Sequence, residues 1–334
     1  MRKIKIAQIG TSRYSHGRMC WDSLEKQSNI FEFVGYCLPE GEKEKFRGFI
    51  GDSTNVREMT VEEIMNDTEI EAVAIETEEI YITKYALMAA KAGKHIHMEK
   101  PGGESLEEFE ELINIMKKTG KVFHTGYMYR YNPVVKDLLK RIKAGELGDI
   151  ISVEAQMNSN HPDEQRRFLK TFKGGIMFFL GCHLVDLTLL IMGKPNNIVP
   201  FNAKTGKSGI DSTDYGMAVL EYDTGASFIK SLSAELGGFA RRQLVVTGTK
   251  GTIEVKPLEM HSGGTLQYTG VTEYFGDNIP WNSMGVNYKS EPYDRYDDMM
   301  ATFASYVRGE GTNPYTLDYE LELYKTVLKC CGML

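Results

Sequence analysis

The sequence predicts two units: a doubly wound α/β domain over residues 1–127, and an α+β domain over residues 128–334 carrying a large, mostly antiparallel sheet. Three observations lead there. Up to residue 127, short apolar strands alternate with helical stretches, the pattern of a parallel sheet with helices on both faces. After "YRYNP" the texture changes to strand-like segments joined by short polar turns, which is how antiparallel sheets are connected. The 334 residues, 42% of them hydrophobic, suffice for about two cores at roughly 100–200 residues each.

In chain order, "KIKIAQIG" reads as a strand, and a helix starts at about His16. Strands follow in "FEFVGYCL", "IEAVAIET", "KHIHME" and "KVFHTGY". Two helix starts carry capping boxes, Thr60 with Glu63 and Ser105 with Glu108, in which each side chain satisfies an amide that the other residue leaves open. Beyond residue 127, "VVKDLLKRIKAG" predicts a helix, and "IISVEAQM", "YGMAVLEY", "ASFIKSLSAEL", "QLVVTGT" and "GTIEVK" predict strands. The chain returns to helix in "DDMMATFASYVRGE" and "LDYELELYKTVLKCCGML".

Composition narrows the function. The most apolar run, Ile176 to Gly193, carries His183 and Asp186 and is too short and polar to span a membrane. "MRKIKIAQIG" alternates like a strand and lacks the apolar core of a secretion signal, so a cytoplasmic address is expected. Five cysteines without CxxC spacing indicate reduced thiols, neither a disulfide framework nor a zinc site. A net charge of −7 without a long basic run argues against nucleic acid. The expected partner is a small molecule.

The loop "GTSRYSHG" after the first strand has the place of a dinucleotide-binding turn. There the first glycine permits the turn, the second admits the pyrophosphate and the third lets helix and strand pack closely. Gly10 holds the first position, and Ser12 and Ser15 replace the other two. Their hydroxyls could donate to phosphate oxygens beside the helix N-terminus, with the charge of Arg13 and with Tyr14 in the same turn. Gly10, Ser12, Arg13, Tyr14 and Ser15 are therefore candidate cofactor contacts. At the end of the second strand Leu38 stands where an acid usually takes the adenosine ribose; Glu40 or Glu42 could substitute, and Lys43 and Lys45 follow. The choice between NAD and NADP leans to NAD.

The stretch "AAKAGKHIHMEKPGGESLEEFEEL" resembles the Gfo/Idh/MocA family of oxidoreductases. Four further matches occur in the family's order: "GYMYRYNP", "GELGDI", "GGIMFFLGCHLVD" and "GTKGTIEV". The resemblance implies a Rossmann domain followed by a domain with an open antiparallel sheet, and hydride transfer between nicotinamide and a sugar, inositol or related polyol in the cleft they form. It implies that Lys100, followed by Pro101 in a cis peptide, holds the nicotinamide ribose and stabilises charge on the substrate oxygen. His183 would exchange the hydroxyl proton, its ordinary pKa of about 6.5 lying near working pH. Glu99 and Thr77 would contact the cofactor, and a homodimer or homotetramer is implied.

Several positions depart from the family. Its catalytic aspartate, four residues before the histidine, is Phe179, whose aromatic face could pack on a sugar ring. Asp186 could support the His183 imidazole from the next helical turn. The family's "TPN" and following histidine become "TEEIYI", with Glu78 and Glu79 either beside the cofactor or facing solvent in a helix's first turn. Asn158 and His161, after the first strand of the second domain, are candidate substrate contacts. His95 and His97 share a strand face and read as packing, so no metal is expected. Two other functions stay open: a non-redox binding or regulatory protein on the same scaffold, and a hydrolase or lyase with permanently bound nicotinamide.

Overall fold

The computed structural model describes residues 2–12, 14–45, 56–276 and 280–334. Its first unit contains β1 (Ile4–Ile9), α1 (Gly17–Lys26), β2 (Phe31–Cys37), α2 (Glu42–Lys45), β3 (Arg57–Glu58), α3 (Val61–Asn66), β4 (Ala72–Ile75), α4 (Ile82–Lys91), β5 (His95–Met98), α5 (Leu106–Thr119) and β6 (Phe123–Thr125). The strands run parallel in the order β3-β2-β1-β4-β5-β6. In this doubly wound order the chain leaves β1 in opposite directions, and the crevice beyond the carboxyl ends of β1 and β4 is the ligand position. Strands buried on both faces explain the near-continuous apolar runs: Ala72, Val73, Ala74 and Ile75 have no exposed surface.

Thr60 caps α3 with both arms of the expected box. At α5 only the forward arm forms, Ser105 Oγ accepting from Glu108 N–H at 3.2 Å.

The second unit contains α6 (Pro133–Lys143), β7 (Ile150–Gln156), α7 (Asp163–Phe168), a π turn (Met177–Gly181) leading into α8 (Cys182–Met192), and β8 (Asn197–Ala203). The strands β9 (Tyr215–Tyr222), β10 (Gly225–Leu232), β11 (Gln243–Gly248), β12 (Gly251–Val255), β13 (Met260–Gly263), β14 (Leu266–Tyr268), β15 (Gly270–Phe275) and β16 (Val286–Lys289) follow. The large sheet has the order β16-β15-β12-β11-β7-β10-β9-β8. Its pairings are antiparallel except β7 with β10. One face packs on α8, whose first eight residues are all buried. That burial accounts for the apolar run around His183, and no helix among the described residues is long and apolar enough to cross a membrane.

The chain divides into Met1–Tyr127 with Tyr296–Tyr324, and Met128–Arg295 with Lys325–Leu334. This corrects the expectation of a single unit over 128–334. Residues of α9 (Asp297–Val307) and the first part of α10 (Leu317–Cys330) close over the parallel sheet. Asp297 accepts from Ser23 Oγ at 2.9 Å, Phe303 stacks on His124, and Thr125 Oγ1 donates to Glu320 at 2.9 Å.

Candidate active site

At the carboxyl end of β1, Gly10 has φ +86, and a Cβ there would lie 2.6 Å from Thr77 Cγ2, so the turn needs glycine. The close approach between helix and strand falls on Gly17, the first residue of α1, where a Cβ would lie 2.8 Å from Thr11 Cα. Ser12 and Ser15 serve the loop differently. Ser12 is buried, its N–H donates to Glu76 O at 2.9 Å, and its hydroxyl has no hydrogen-bond partner. Ser15 Oγ donates to Ser12 O at 3.1 Å and accepts from Gly17 N–H at 3.3 Å, so its proton is engaged within the turn. Tyr14 is half-buried in the same turn; Arg13 lies outside the described residues.

Glu42 supplies a contact that sequence reasoning did not place. It is buried at the start of α2, and its Oε2 accepts from Thr11 N–H at 2.9 Å. Burial pushes its carboxyl up to about 7, against the pull of the Thr11 and Glu78 amides. Glu40, with φ +59, turns instead to α4, accepting from Lys84 and from Tyr85 Oη at 2.7 Å. Those bonds, the one from Lys84 foremost, hold its carboxyl below the usual range. Lys43 pairs with Glu58 at 2.8 Å and Lys45 with Glu78 at 2.9 Å.

Beyond β4 and β5, Thr77, Glu79, Glu99 and Lys100 are all buried. The Lys100–Pro101 peptide is cis. Lys100 Nζ and His16 Nδ1 each lie 3.4 Å from Glu99 Oε1. Burial raises the Glu99 carboxyl, but the Lys100 charge and His16 outweigh it and the net shift is downward. Glu79 does not face solvent: it is 2% exposed, its Oε2 has no hydrogen-bond partner, and burial pushes it up to about 7 despite Lys100.

In the second unit, His183 is the second residue of α8 and is 1% exposed. The Tyr129 ring stands edge-on to it, centroids 5.0 Å apart. Tyr129 Oη donates to Glu259, which also binds Arg242 and accepts from Arg295 Nε at 2.7 Å. Despite burial, the two guanidiniums hold Glu259 down to about 2. Arg242 continues to Asn158 O at 3.2 Å and Ser159 Oγ at 2.8 Å, so one buried network links the surroundings of His183 to Asn158. Asn158 Oδ1 has no hydrogen-bond partner.

His161 Nδ1 lies 3.0 Å from Ser233 Oγ, and burial, then Arg242 and Arg166, push its pKa down to about 4. Phe179 packs inside the protein against Phe168, Phe172 and His161, so its ring is engaged by aromatic neighbours and not kept for a sugar. Asp186 is gripped by Arg130, with Nη2 at 2.7 Å and Nε at 2.9 Å. Tyr129 lay within the quoted "GYMYRYNP", but nothing in the sequence pointed to Glu259, 130 residues from it.

The residues of the first unit fit a nicotinamide dinucleotide. Gly10 leaves room for the turn, Ser12 keeps a buried hydroxyl unengaged, and Thr77, Glu99 and Lys100 line the same sheet edge. Glu42 is the feature that opposes an anionic diphosphate, and its elevated pKa allows the uncharged form near neutrality.

Comparison with known proteins finds family matches in both units. The profile described as "Oxidoreductase family, NAD-binding Rossmann fold" matches residues 4–127, and the "GFO/IDH/MocA C-terminal domain" matches residues 135–254. The chain is 28% identical over 168 residues to D-xylose 1-dehydrogenase (NADP(+)) 2 of Haloferax volcanii, covering 50% of this chain and 51% of that protein. It thus spans about half the length of that relative. It is 26% identical over 269 residues to scyllo-inositol 2-dehydrogenase (NAD(+)) of Bacillus subtilis, 77% of this chain and 73% of the relative. Among solved structures, aldose-aldose oxidoreductase from Caulobacter crescentus, complexed with glycerol, superposes with a TM-score of 0.79 at 17% identity, covering 99% of this chain and 97% of that one. At that identity the likeness concerns the fold.

Proposed function

The chain belongs to the GFO/IDH/MocA oxidoreductases, an NAD(P)-binding family, and from that premise we propose that it transfers a hydride between a nicotinamide cofactor and a sugar, inositol or related polyol. The observation that carries this reading is Lys100, 1% exposed beside Glu99 at the carboxyl edge of β5. A buried ammonium at that edge is a preorganised donor for charge developing on a substrate oxygen. The nicotinamide, when bound, accepts or returns the hydride.

The protein's own residues then handle the proton and the charge. As a substrate alcohol becomes a carbonyl, its hydroxyl proton passes to the His183 imidazole, while Lys100 hydrogen-bonds the oxygen. Tyr129, anchored by Glu259, positions the imidazole ring. Lys100 and His183 lie in different units, and each is assigned its step from its own surroundings. Ser12, Thr77 and Glu99 serve as cofactor contacts, and Asn158 and His161 as substrate contacts. NAD is the proposed cofactor: Glu40 and Glu42 follow β2, while Lys43 and Lys45 are already paired with carboxylates, which disfavours a 2′-phosphate.

Lys100→Ala tests the assignment. Turnover on a polyol found by screening falls about 10²–10³-fold, while NADH fluorescence titration still reports binding. Unchanged turnover overturns the role of Lys100, and a wild-type protein that binds neither NADH nor NADPH overturns the whole reading. Self-association as a homodimer or homotetramer is proposed as well. It is supported by Val199, Phe201, Val219, Phe228 and Val245, which register across the sheet face opposite the buried Ala218, Ile229, Leu244 and Val246. Sedimentation as a monomer alone rejects it.

A further inference from the structure

On the parallel sheet of the first unit, alternation places Gln8, Ala74, His97 and His124 in one cross-strand row. Glu76, just beyond β4, lies on the same face. Cys20 of α1 and Phe303 of α9 cover that face: Cys20 Sγ lies 4.0 Å from Met300 Sδ, and Phe303 meets the rings of His97 and His124.

A thiol, a carboxylate and an imidazole thereby converge. One donor atom from each of Cys20, Glu76 and His97 lies within 4.8 Å of the other two, and none of the three residues is more than 1% exposed. His97 Nε2 and Glu76 Oε1 are 3.6 Å apart. Two of the buried polar atoms here, His97 Nε2 and Glu76 Oε2, have no hydrogen-bond partner, a costly state for groups removed from water. The His97 ring is held from behind, its Nδ1 lying 2.8 Å from His124 Nδ1, which aims Nε2 at Glu76. A metal-binding histidine is commonly fixed in this way through its other nitrogen.

We propose that Cys20, Glu76 and His97 form a buried divalent-metal site, with zinc as its metal. Sulfur, nitrogen and carboxylate oxygen together are a borderline donor set that suits zinc, and three protein ligands leave one tetrahedral position open. Binding releases the thiol proton of Cys20 to solvent, and the thiolate, the Glu76 carboxylate and the His97 imidazole hold the dication. No oxidation or reduction is involved. Sequence reasoning took His97 as strand packing on the local stretch "GKHIHMEKP", which does not show its approach to Cys20 and Glu76. The inference is independent of the proposed redox activity.

Because the ligands are buried, the metal is supplied during synthesis. The full chain is produced in zinc- or cobalt-supplemented medium and examined by native mass spectrometry, elemental analysis and absorption. The expected result is stoichiometric metal and, in the cobalt protein, a thiolate-to-cobalt charge-transfer band in the near ultraviolet with intense visible bands. Cys20→Ser abolishes the charge-transfer band, Cys37→Ser retains it, and Glu76→Gln, His97→Gln or His124→Gln weakens metal retention against a chelator by at least about tenfold. Folded wild-type protein without metal overturns the proposal. So does metal bound without the charge-transfer band, or a band that persists in Cys20→Ser. If a variant fails to fold, judged by circular dichroism, the wild-type cobalt spectrum and the Cys37→Ser control still decide.

Discussion

Glu42 in the first unit and Glu259 in the second are both buried carboxylates, yet one is pushed up to about 7 and the other held down to about 2. The difference lies in their partners. Glu259 binds Arg242, Arg295 and the Tyr129 hydroxyl, whereas among the described residues Glu42 takes its stabilising hydrogen bonds from backbone amides. The same contrast recurs around them. Asp186 closes on Arg130 and Asp214 on Arg166 in the second unit, while burial raises Glu76 and Glu79 in the first. Buried charge that is fully paired fixes a scaffold; buried charge left short of a counter-ion is poised to respond to a ligand's charge.

Breaking the paired side gives the largest expected effect. Glu259→Gln leaves Arg242 and Arg295 buried around a neutral amide, and removing one partner of such a cluster costs about 3–5 kcal/mol. Urea unfolding at pH 7 measures it. A loss below about 1 kcal/mol, the scale of an exposed pair, would mean the cluster is not the anchor its geometry suggests.

Next in size is a pair of opposite pH dependences. Glu259, lowered from 4.5 to about 2, contributes about 3 kcal/mol. That stability is fully present above about pH 4.5 and is lost as pH falls towards 2. Glu42, raised from 4.5 to about 7, acts with the other sign. Between these values the unfolded chain releases a proton that the folded protein keeps, so stability falls by about 3 kcal/mol as pH rises through the window. Glu42→Gln removes this part of the slope, while Glu79, also raised to about 7, leaves a parallel part in place. Urea titrations from pH 4.5 to 8 separate the two, and an identical slope in wild type and Glu42→Gln would contradict the assignment.

What the sequence made legible follows the range of the interactions. The five expected strands of the parallel sheet, the turn at Gly10 and the reciprocal cap at Thr60 are visible because each is determined within a few residues. The parallel pairing of β7 with β10 is invisible, since both strands carry the same alternation whichever way they pair. The strands β13, β14 and β16 have four residues or fewer, and most residues of β13 to β16 are exposed or half-buried, which weakens their period. The return of residues 296–324 to the first unit depends on contacts such as Asp297 with Ser23, and an amphipathic helix does not announce which sheet it will cover. Among the candidate residues, Lys100 and His183 were proposed from motifs, each in its own unit, whereas the positions of Glu42, Glu79 and Glu259 depend on distant partners and on depth of burial.

The smallest expected effect connects this electrostatic contrast to ligand binding. Thr11 N–H, held by Glu42, belongs to the loop proposed to seat an anionic diphosphate, so an ionised Glu42 opposes binding and a protonated one does not. Near a protein surface, two like charges several Å apart repel by roughly 1–2 kcal/mol, equivalent to about tenfold in affinity. NADH should therefore bind about tenfold more tightly at pH 6 than at pH 8, and Glu42→Gln should bind at both pH values as wild type does at pH 6. Fluorescence titration measures this directly. Equal wild-type affinities at the two pH values would place the diphosphate away from Thr11, and would make Glu42 a structural clamp on the loop that the cofactor does not sense.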